Sequence, residues 1–212
     1  MNTVAIVDYG MGNLRSVSKA IEHVGDGARV IVTSDPAVVA AADRVVVPGQ
    51  GAMPDCMAEL EARGLKDAVI RAAAEKPFLG ICIGLQMLFQ HSAEGDVPGL
   101  GILPGQVLRF PADAMVGADG ARLKVPHMGW NEVSQAEPHP LWQGINDDAR
   151  FYFVHSYYVE AGNAGLVAGS THYGILFTSA VAQANIFAVQ FHPEKSAQAG
   201  LQLLGNFLRW NP

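Results

Sequence analysis

The segment FLGICIG, residues 78–84, carries the strongest indication of the fold in this sequence. Its first half is an apolar, strand-like run, and the helical pattern 85–90 follows its second glycine. This is the context of a nucleophile elbow, in which Cys82 is held in a tight bend between a strand and a helix. Gly80 and Gly84 remove the Cβ atoms that would otherwise collide at such a bend. The stretch therefore predicts an α/β sheet with a cysteine at the carboxyl end of one strand.

Upstream of this stretch, short apolar runs alternate with helical patterns, which is typical of βαβ units around a parallel sheet. The predicted strands are 4–7, 30–33, 44–47 and 78–81, and the predicted helices are 14–24, 36–42 and 57–75. These elements predict a doubly wound α/β fold. Ligands bind outside the carboxyl ends of such strands, so we expect the loops beginning at Tyr9, Pro48 and Gly80 along one rim.

The second half of the chain is rich in strand-like runs instead. Residues 197–210 predict a final helix, whose leucine face would close the fold against the sheet. Neither an internal repeat nor a linker-like tract separates the two halves, so we predict a single domain over residues 1–212. The strand-like runs lie at 105–110, 151–159, 174–179 and 186–191.

The composition excludes several classes of protein. Of the 212 residues, 50% are hydrophobic and 16% are charged, too apolar a balance for a disordered chain. The net charge of −6 gives no electrostatic drive toward nucleic acid or an anionic membrane, so we expect neither as a partner. There is no basic leader and no apolar run of about 18 residues. With only Cys56 and Cys82 as cysteines, we expect a cytoplasmic protein without disulfides.

A second chemical motif, His192-Pro193-Glu194, ends the apolar run 186–191. In an extended chain, residues two apart point to the same side, and Pro193 disfavours a helical conformation at His192. Glu194 would then hold one imidazole nitrogen while the other faces the Cys82 thiol. A buried structural cysteine and an ordinary strand-end turn stay open as alternatives. Because Cys82 and His192 both follow predicted strands, we interpret Cys82, His192 and Glu194 as a catalytic triad.

The loop 48–51, Pro-Gly-Gln-Gly, follows the predicted strand 44–47 and is expected at the same rim. Oxyanion stabilisation requires backbone N–H groups aimed at the developing charge, and neighbouring glycines permit the peptide orientation that this needs. We predict that the N–H groups of Gln50 and Ile83 form the oxyanion hole. An ordinary strand-terminating turn is the alternative for this loop.

No motif for a cofactor is complete. The segment 9–13, YGMGN, follows a strand and opens a helix, but Arg15 stands where a dinucleotide fingerprint has its third glycine. The sequence contains no GxxxxGK[ST] motif, and its remaining histidines lack metal-ligand spacing. We therefore expect no metal and no other cofactor.

Together these motifs resemble the class I glutamine amidotransferases, and the resemblance covers essentially the whole chain. The elbow and His-Pro-Glu are common to that family. Three segments, 8–14 (DYGMGNL), 126–131 (PHMGWN) and 192–196 (HPEKS), resemble the glutaminase subunits of imidazole glycerol phosphate synthases in histidine biosynthesis. The resemblance implies a flavodoxin-like fold, with a mainly parallel central sheet flanked by helices and extra antiparallel strands in the C-terminal half.

The resemblance also implies roles for individual residues. Cys82 would attack the side-chain amide of glutamine, His192 would pass a proton to the leaving ammonia, and Glu194 would orient His192. Water would then release glutamate from the thioester. Without the resemblance, Gln86 would be a solvated helix position and Glu94 a loop carboxylate. The implied glutamine contacts are Gly51, Gln86 and Glu94, with the backbone at Ser156 and Tyr157.

A partner is implied as well, a cyclase subunit with a (β/α)8 barrel that forms a heterodimer with the glutaminase and receives its ammonia. The products would be imidazole glycerol phosphate and an aminoimidazole carboxamide ribotide. Asn13, Trp130 and Lys195 match positions at that interface. A core aromatic is the alternative for Trp130, and a solvated charge for Lys195. Gln50 replaces the valine of the family's Pro-Gly-Val-Gly segment, which keeps a backbone contact possible but alters the packing of the loop.

Three other functions are compatible with the motifs. One is a glutaminase of another class I enzyme, such as one for anthranilate, carbamoyl phosphate or pyridoxal phosphate synthesis. Another is a stand-alone cysteine hydrolase of γ-glutamyl or peptide bonds, which would be fully active without a partner. The last is a non-catalytic flavodoxin-like module, since a fold does not imply a function.

Overall fold

The structure, a computed structural model, describes residues 2–25, 27–117 and 120–212 and contains one open, mixed sheet flanked by helices. No helix in these ranges is long and apolar enough to cross a bilayer. The helices are α1 Leu14–Val24, α2 Pro36–Ala41, α3 Met53–Ala62, α4 Lys66–Glu75, α5 Ile83–Gln86 and α6 Ala197–Arg209. The strands are β1 Thr3–Val7, β2 Arg29–Thr33, β3 Arg44–Gly49, β4 Phe78–Cys82, β5 His91–Ser92, β6 Val97–Pro98, β7 Gly105–Arg109, β8 His127–Gln135, β9 Ala149–His155, β10 Tyr157–Ala161, β11 Val167–Tyr173, β12 Ile175–Gln183 and β13 Ile186–Val189.

The strands of the first half form a parallel region together with β13 from the C-terminal half. β2, β1, β3, β4 and β13 lie side by side in that order, and each neighbouring pair is parallel. Strands of such a region are buried on both faces, and β3 and β4 are buried along their whole length. This explains their continuous apolar sequences and confirms the predicted parallel centre of the sheet.

The rest of the sheet is mainly antiparallel. From β13 the order continues through β12, β10, β7, β5 and β6, while β11 pairs with both β12 and β8. β8 pairs with β9 in a ladder that runs from His127 opposite His155 to Val133 opposite Ala149. These strands confirm the prediction of extra antiparallel strands in the C-terminal half.

β3 and β4 end at the same rim of the sheet. Gly49, at the end of β3, is the register partner of Cys82, at the end of β4. The loop that follows β1 lies on this rim too, since the Tyr9 hydroxyl donates a hydrogen bond to the Pro48 carbonyl at 2.7 Å. The three loops expected along one rim therefore start side by side.

Several predicted elements have different limits in the structure. The predicted helix 57–75 is two helices, α3 and α4, because the chain turns at Gly64, whose φ is +67°. The predicted helix 85–90 is shorter and earlier, since α5 covers only Ile83–Gln86. The predicted strand 151–159 is interrupted at Ser156, which separates β9 from β10. β8 and β11 were not predicted, because glycine, serine and histidine interrupt their apolar patterns.

Candidate active site

Cys82 lies at the turn between β4 and α5 in a strained backbone conformation. Its φ and ψ are 55° and −109°, a combination that residues with a Cβ adopt rarely. Such strain persists only where the surrounding structure imposes it, and it is concentrated at functional sites. A Cβ on Gly84 would collide with the carbonyl oxygen of Val47 on β3, so only glycine allows α5 to approach the sheet this closely. The glycines and the strain together direct the Cys82 thiol toward the rim.

His192 and Glu194 form a buried ion pair behind the thiol. His192 Nδ1 lies 2.9 Å from Glu194 Oε1, and the side chains are only 5% and 1% exposed. His192 is extended, as predicted, but Pro193–Lys195 form a short 3-10 turn. The expectation of an extended chain through Glu194 is therefore wrong, and this turn brings the two side chains together. The turn is held by Ser196, whose hydroxyl donates to the His192 carbonyl at 2.6 Å.

The electrostatics of His192 favour its charged form. Burial by itself lowers the pKa of an imidazole, because it disfavours the imidazolium. Here the negative charges of the Cys82 thiolate and the Glu194 carboxylate more than offset burial and raise the pKa of His192. Nε2 is near Cys82 without meeting hydrogen-bond geometry, and it has no partner among the described residues. The site can thus hold a thiolate next to an imidazolium with one N–H available to a ligand.

Gln190 is a contact of the nucleophile that the motifs did not reveal. Its side chain is fully buried, and its Nε2 donates to Cys82 Sγ at 3.6 Å. Its Oε1 accepts a hydrogen bond from Gln86 Nε2 at 3.0 Å. A polar residue inside the apolar run 186–191 was the only sequence signal for this role. Gln190 therefore joins the nucleophile to a residue predicted to bind glutamine.

A cavity of about 230 Å³ opens at the rim between Cys82 and His192. Such a concave site with a few convergent polar groups suits a small polar ligand. Glu194 is not in its lining and lies behind His192. Every residue predicted for the oxyanion hole or for glutamine binding does line the cavity: Gln50, Gly51, Ile83, Gln86, Glu94, Ser156 and Tyr157.

The loop 48–51 is held from below by two buried donors. The Tyr9 hydroxyl donates to the Pro48 carbonyl, and Cys56 Sγ lies 3.6 Å from the Gln50 carbonyl oxygen, to which it donates. Burial raises the pKa of Cys56 to about 11 and that of Tyr9 well above its usual value, so both keep their protons. Cys56 is therefore a structural thiol, and the Gln50 side chain is exposed rather than packed.

The three residues predicted at a partner interface lie outside the cavity. Trp130 is 45% exposed, so the alternative of a core aromatic is wrong. The rings of Trp130 and Tyr152 make an edge contact with centroids 6.2 Å apart, and Lys195 Nζ lies 5.9 Å from the centroid of the Tyr152 ring. The sequence motifs did not identify Tyr152. Asn13 precedes α1 and makes no capping hydrogen bond with its side chain.

Comparison with known proteins assigns the family. The family model of glutamine amidotransferase class-I matches residues 5–210. The chain belongs to the class I glutamine amidotransferase family. This amidotransferase is 73% identical over 212 residues, 100% of both chains, to the imidazole glycerol phosphate synthase subunit HisH of Aromatoleum aromaticum. It is 68% identical over 210 residues to the subunit of the same name from Dechloromonas aromatica, covering 99% of this chain and 97% of the relative.

The fold of this amidotransferase also occurs in more distant proteins. A chain in the structure of PurLQS from Thermotoga maritima superposes with a TM-score of 0.72 at 18% identity, covering 98% of each chain. At that identity the likeness concerns the fold alone. The predicted family, the predicted α/β fold and the prediction of an enzyme are confirmed.

Proposed function

We propose that this amidotransferase is the glutaminase subunit of an imidazole glycerol phosphate synthase and works as one domain over residues 1–212. The observation that carries the proposal is the arrangement around the cavity, where Cys82 faces His192 and Glu194 lies 2.9 Å behind the imidazole. Full-length identity to two proteins named as HisH subunits supports the choice of synthase.

In the first half of the reaction, the Cys82 thiolate attacks the side-chain amide carbon of glutamine and a C–S bond forms. The carbonyl oxygen becomes an oxyanion, for which the N–H groups of Gln50 and Ile83 are the donors. The His192 imidazolium then gives its Nε2 proton to the amide nitrogen. The C–N bond breaks, ammonia leaves, and a thioester remains on Cys82.

In the second half, His192 is neutral and accepts a proton from water through Nε2. The resulting hydroxide attacks the thioester carbon, the C–S bond breaks, and glutamate leaves with the Cys82 thiolate restored. The Glu194 carboxylate stabilises the imidazolium that forms in this step and keeps its ring oriented. One water is consumed, and one glutamate and one ammonia are produced.

Glutamine recognition uses the rest of the lining. The Glu94 carboxylate would pair with the α-ammonium group, and one of its oxygens already accepts the Met53 N–H at 2.9 Å, which holds the carboxylate in place. Gln86 is fixed by Gln190 and by the Tyr157 carbonyl, to which it donates at 3.2 Å. Gly51 and the backbone of Ser156 would bind the remaining polar groups of the substrate.

The ammonia acceptor in this proposal is a cyclase subunit with a (β/α)8 barrel, and the two subunits form a heterodimer. Exposed Trp130, with Lys195 and Asn13, would contact the cyclase. Ammonia enters the barrel and meets the phosphoribulosyl aminoimidazole carboxamide substrate, giving imidazole glycerol phosphate and an aminoimidazole carboxamide ribotide. We assign the reaction to the cytoplasm, where Cys82 stays a free thiol.

The test is glutamate release from glutamine by the subunit alone, with the cyclase, and with the cyclase loaded with its phosphoribulosyl substrate. We expect weak activity alone and strong activity in the loaded complex. Cys82→Ala should lower the rate in the complex by about 10⁴-fold or more. A diazoketone analogue of glutamine should label Cys82 and leave the buried Cys56 unmodified, which mass spectrometry of peptides can verify.

Each alternative function predicts a different result. Full activity without a partner would identify a stand-alone hydrolase. Stimulation only by another synthase would identify a glutaminase of a different class I enzyme. Unchanged glutamate release by Cys82→Ala would exclude the triad.

A further inference from the structure

His127 and His155 form a buried pair, of which His155 lines the cavity. They are opposite each other in the β8–β9 ladder, and His127 Nδ1 lies 3.0 Å from His155 Nε2. Only 2% of His127 and 6% of His155 are exposed. The His127 ring is stacked against Tyr173 and Phe153, with centroids 4.0 and 4.8 Å away. Neither histidine has a part in the proposed chemistry, so their contact needs a separate explanation.

The hydrogen bonds of this pair run in one direction. His155 Nδ1 lies 2.8 Å from the Tyr157 carbonyl oxygen, which can only accept, so Nδ1 carries the proton. His155 Nε2 must then accept from His127 Nδ1. His127 Nε2 in turn accepts from Asn131 Nδ2 at 3.3 Å, while Asn131 Oδ1 accepts the Glu132 N–H. The network thus assigns the Nδ1–H tautomer to both neutral imidazoles.

Burial keeps the pair neutral. It lowers the pKa of His127 to about 4 and is the main cause that lowers the pKa of His155 to about 3, to which the neighbouring His127 and His192 also contribute. Neutral imidazoles are required for the chain of donors and acceptors, because a protonated ring has no acceptor. Near neutral pH, His192 is therefore the charged imidazole of the site.

The two ends of this hydrogen-bond chain lie at different places in the molecule. At the inner end, the Tyr157 carbonyl also accepts from Gln86, and Tyr157 lines the cavity. At the outer end, β8 carries Met128 and Trp130, which are 63% and 45% exposed. These two large apolar side chains point to the same side of β8 because they are two residues apart. A contact on that exposed face would act on the strand that holds His127 and Asn131.

We propose that His127 and His155 are positioning residues. They fix the Tyr157 backbone for glutamine binding, and they couple the position of that backbone to binding of a partner on the exposed face of β8. The identity of substrate and partner rests on the proposed function. Buried hydrogen-bond chains are cooperative, so loss of one member leaves its neighbours unpaired and loosens the whole chain. The backbone at Ser156 and Tyr157 would then be less ordered when glutamine binds.

The kinetic test compares variants in the complex with the ligand-loaded cyclase. His127→Leu removes the hydrogen bonds, His127→Asn keeps an N–H near the position of Nδ1, and Phe153→Leu disturbs the same packing without removing a member of the chain. We expect His127→Leu to raise KM for glutamine about tenfold and to reduce the stimulation by the partner similarly. His127→Asn should stay within about threefold of the natural protein at a comparable melting temperature.

Three kinetic results would overturn the proposal. The first is a natural KM and natural stimulation in His127→Leu. The second is an equal loss in Phe153→Leu and the third is no recovery in His127→Asn, since either would reduce His127 to a packing role.

A second measurement is independent of activity and of any variant. In the natural subunit with ¹⁵N-labelled histidine, NMR distinguishes Nδ1–H from Nε2–H imidazoles. We expect Nδ1–H for both His127 and His155 at pH 7, and an Nε2–H or charged form of either would contradict the proposed hydrogen-bond chain. If the natural complex releases no glutamate, the proposed function fails, while the NMR result still tests the hydrogen-bond chain through the two histidines.

Discussion

Gln190 connects the nucleophile to the substrate pocket through a single side chain. Its amide N–H donates to Cys82 Sγ, and its carbonyl oxygen accepts from Gln86. A hydrogen bond to an ionised group is stronger than one between neutral groups, and exclusion of water strengthens it further. We therefore expect Gln190 to stabilise the thiolate as well as to orient Gln86.

Replacing Gln190 with leucine should lower the reactivity of Cys82. Loss of a hydrogen bond to a charged group costs about 1.5–3 kcal/mol, so kcat should fall at least about tenfold. Alkylation of Cys82 by iodoacetamide at pH 7 should slow by a similar factor. The matched control is Ser179→Ala, because the buried Ser179 hydroxyl has no partner within the described ranges and its carbonyl accepts the Gln190 N–H at 2.9 Å. Natural reactivity in Gln190→Leu would exclude this role.

At the scale of elements, the site depends on how closely α5 approaches β3. Gly84 lies beside the Val47 carbonyl, and a Cβ there would overlap that backbone oxygen. Gly64, between α3 and α4, differs because its surroundings are open and only its φ of +67° favours glycine. Glycine is thus required at position 84 for lack of space and favoured at position 64 by the backbone conformation.

Alanine at these two positions should have different consequences. Gly64→Ala should lower the free energy of unfolding by about 1 kcal/mol and leave glutaminase activity unchanged. Gly84→Ala should cost about 3 kcal/mol or more and abolish activity, because backbone must move next to Cys82. Urea denaturation and glutamate release measure both effects. Equal losses in the two variants would contradict the steric explanation.

At the scale of the whole molecule, buried histidines link stability to pH. His127 and His155 are neutral in the folded protein, with pKa values lowered by burial from the ordinary 6.5 to about 4 and about 3. The unfolded chain binds protons at these positions below about pH 6.5, so acid favours unfolding. His192 has the opposite sign, since its raised pKa contributes stability below pH 6.5 that is lost as the pH rises through the folded-state value.

Stability should therefore fall as the pH decreases from 6.5 toward 4. Each of the two histidines contributes a slope of about 1.4 kcal/mol per pH unit in this window. Carboxylates add their own slope, so the measurement is the difference between the natural protein and His127→Asn in urea denaturation at pH 7, 6 and 5. The variant should show the shallower dependence, and parallel curves would contradict the prediction.

Local patterns account for the parallel half of the fold. α1 was predicted with the limits Leu14–Val24 that the structure has, and the apolar runs of β1, β3 and β4 were predicted within two residues of their ends. Such strands are buried on both faces, so their sequences are continuous apolar runs that can be recognised without tertiary structure. The break at Gly64 was missed because helical periodicity continues on both sides of it.

The amino-acid sequence alone is enough to identify the nucleophile turn, the His-Pro-Glu motif and the family, because these depend on residues close together in the chain. Three contacts are visible only in the tertiary structure: that of Gln190 with Cys82, that of Tyr152 with both Trp130 and Lys195, and the hydrogen bond between two histidines 28 residues apart. These contacts join residues that are distant in the chain, and no local pattern predicts them. β8 and β11 illustrate the reason, since their residues form strands through cross-strand partners rather than through an apolar run of their own.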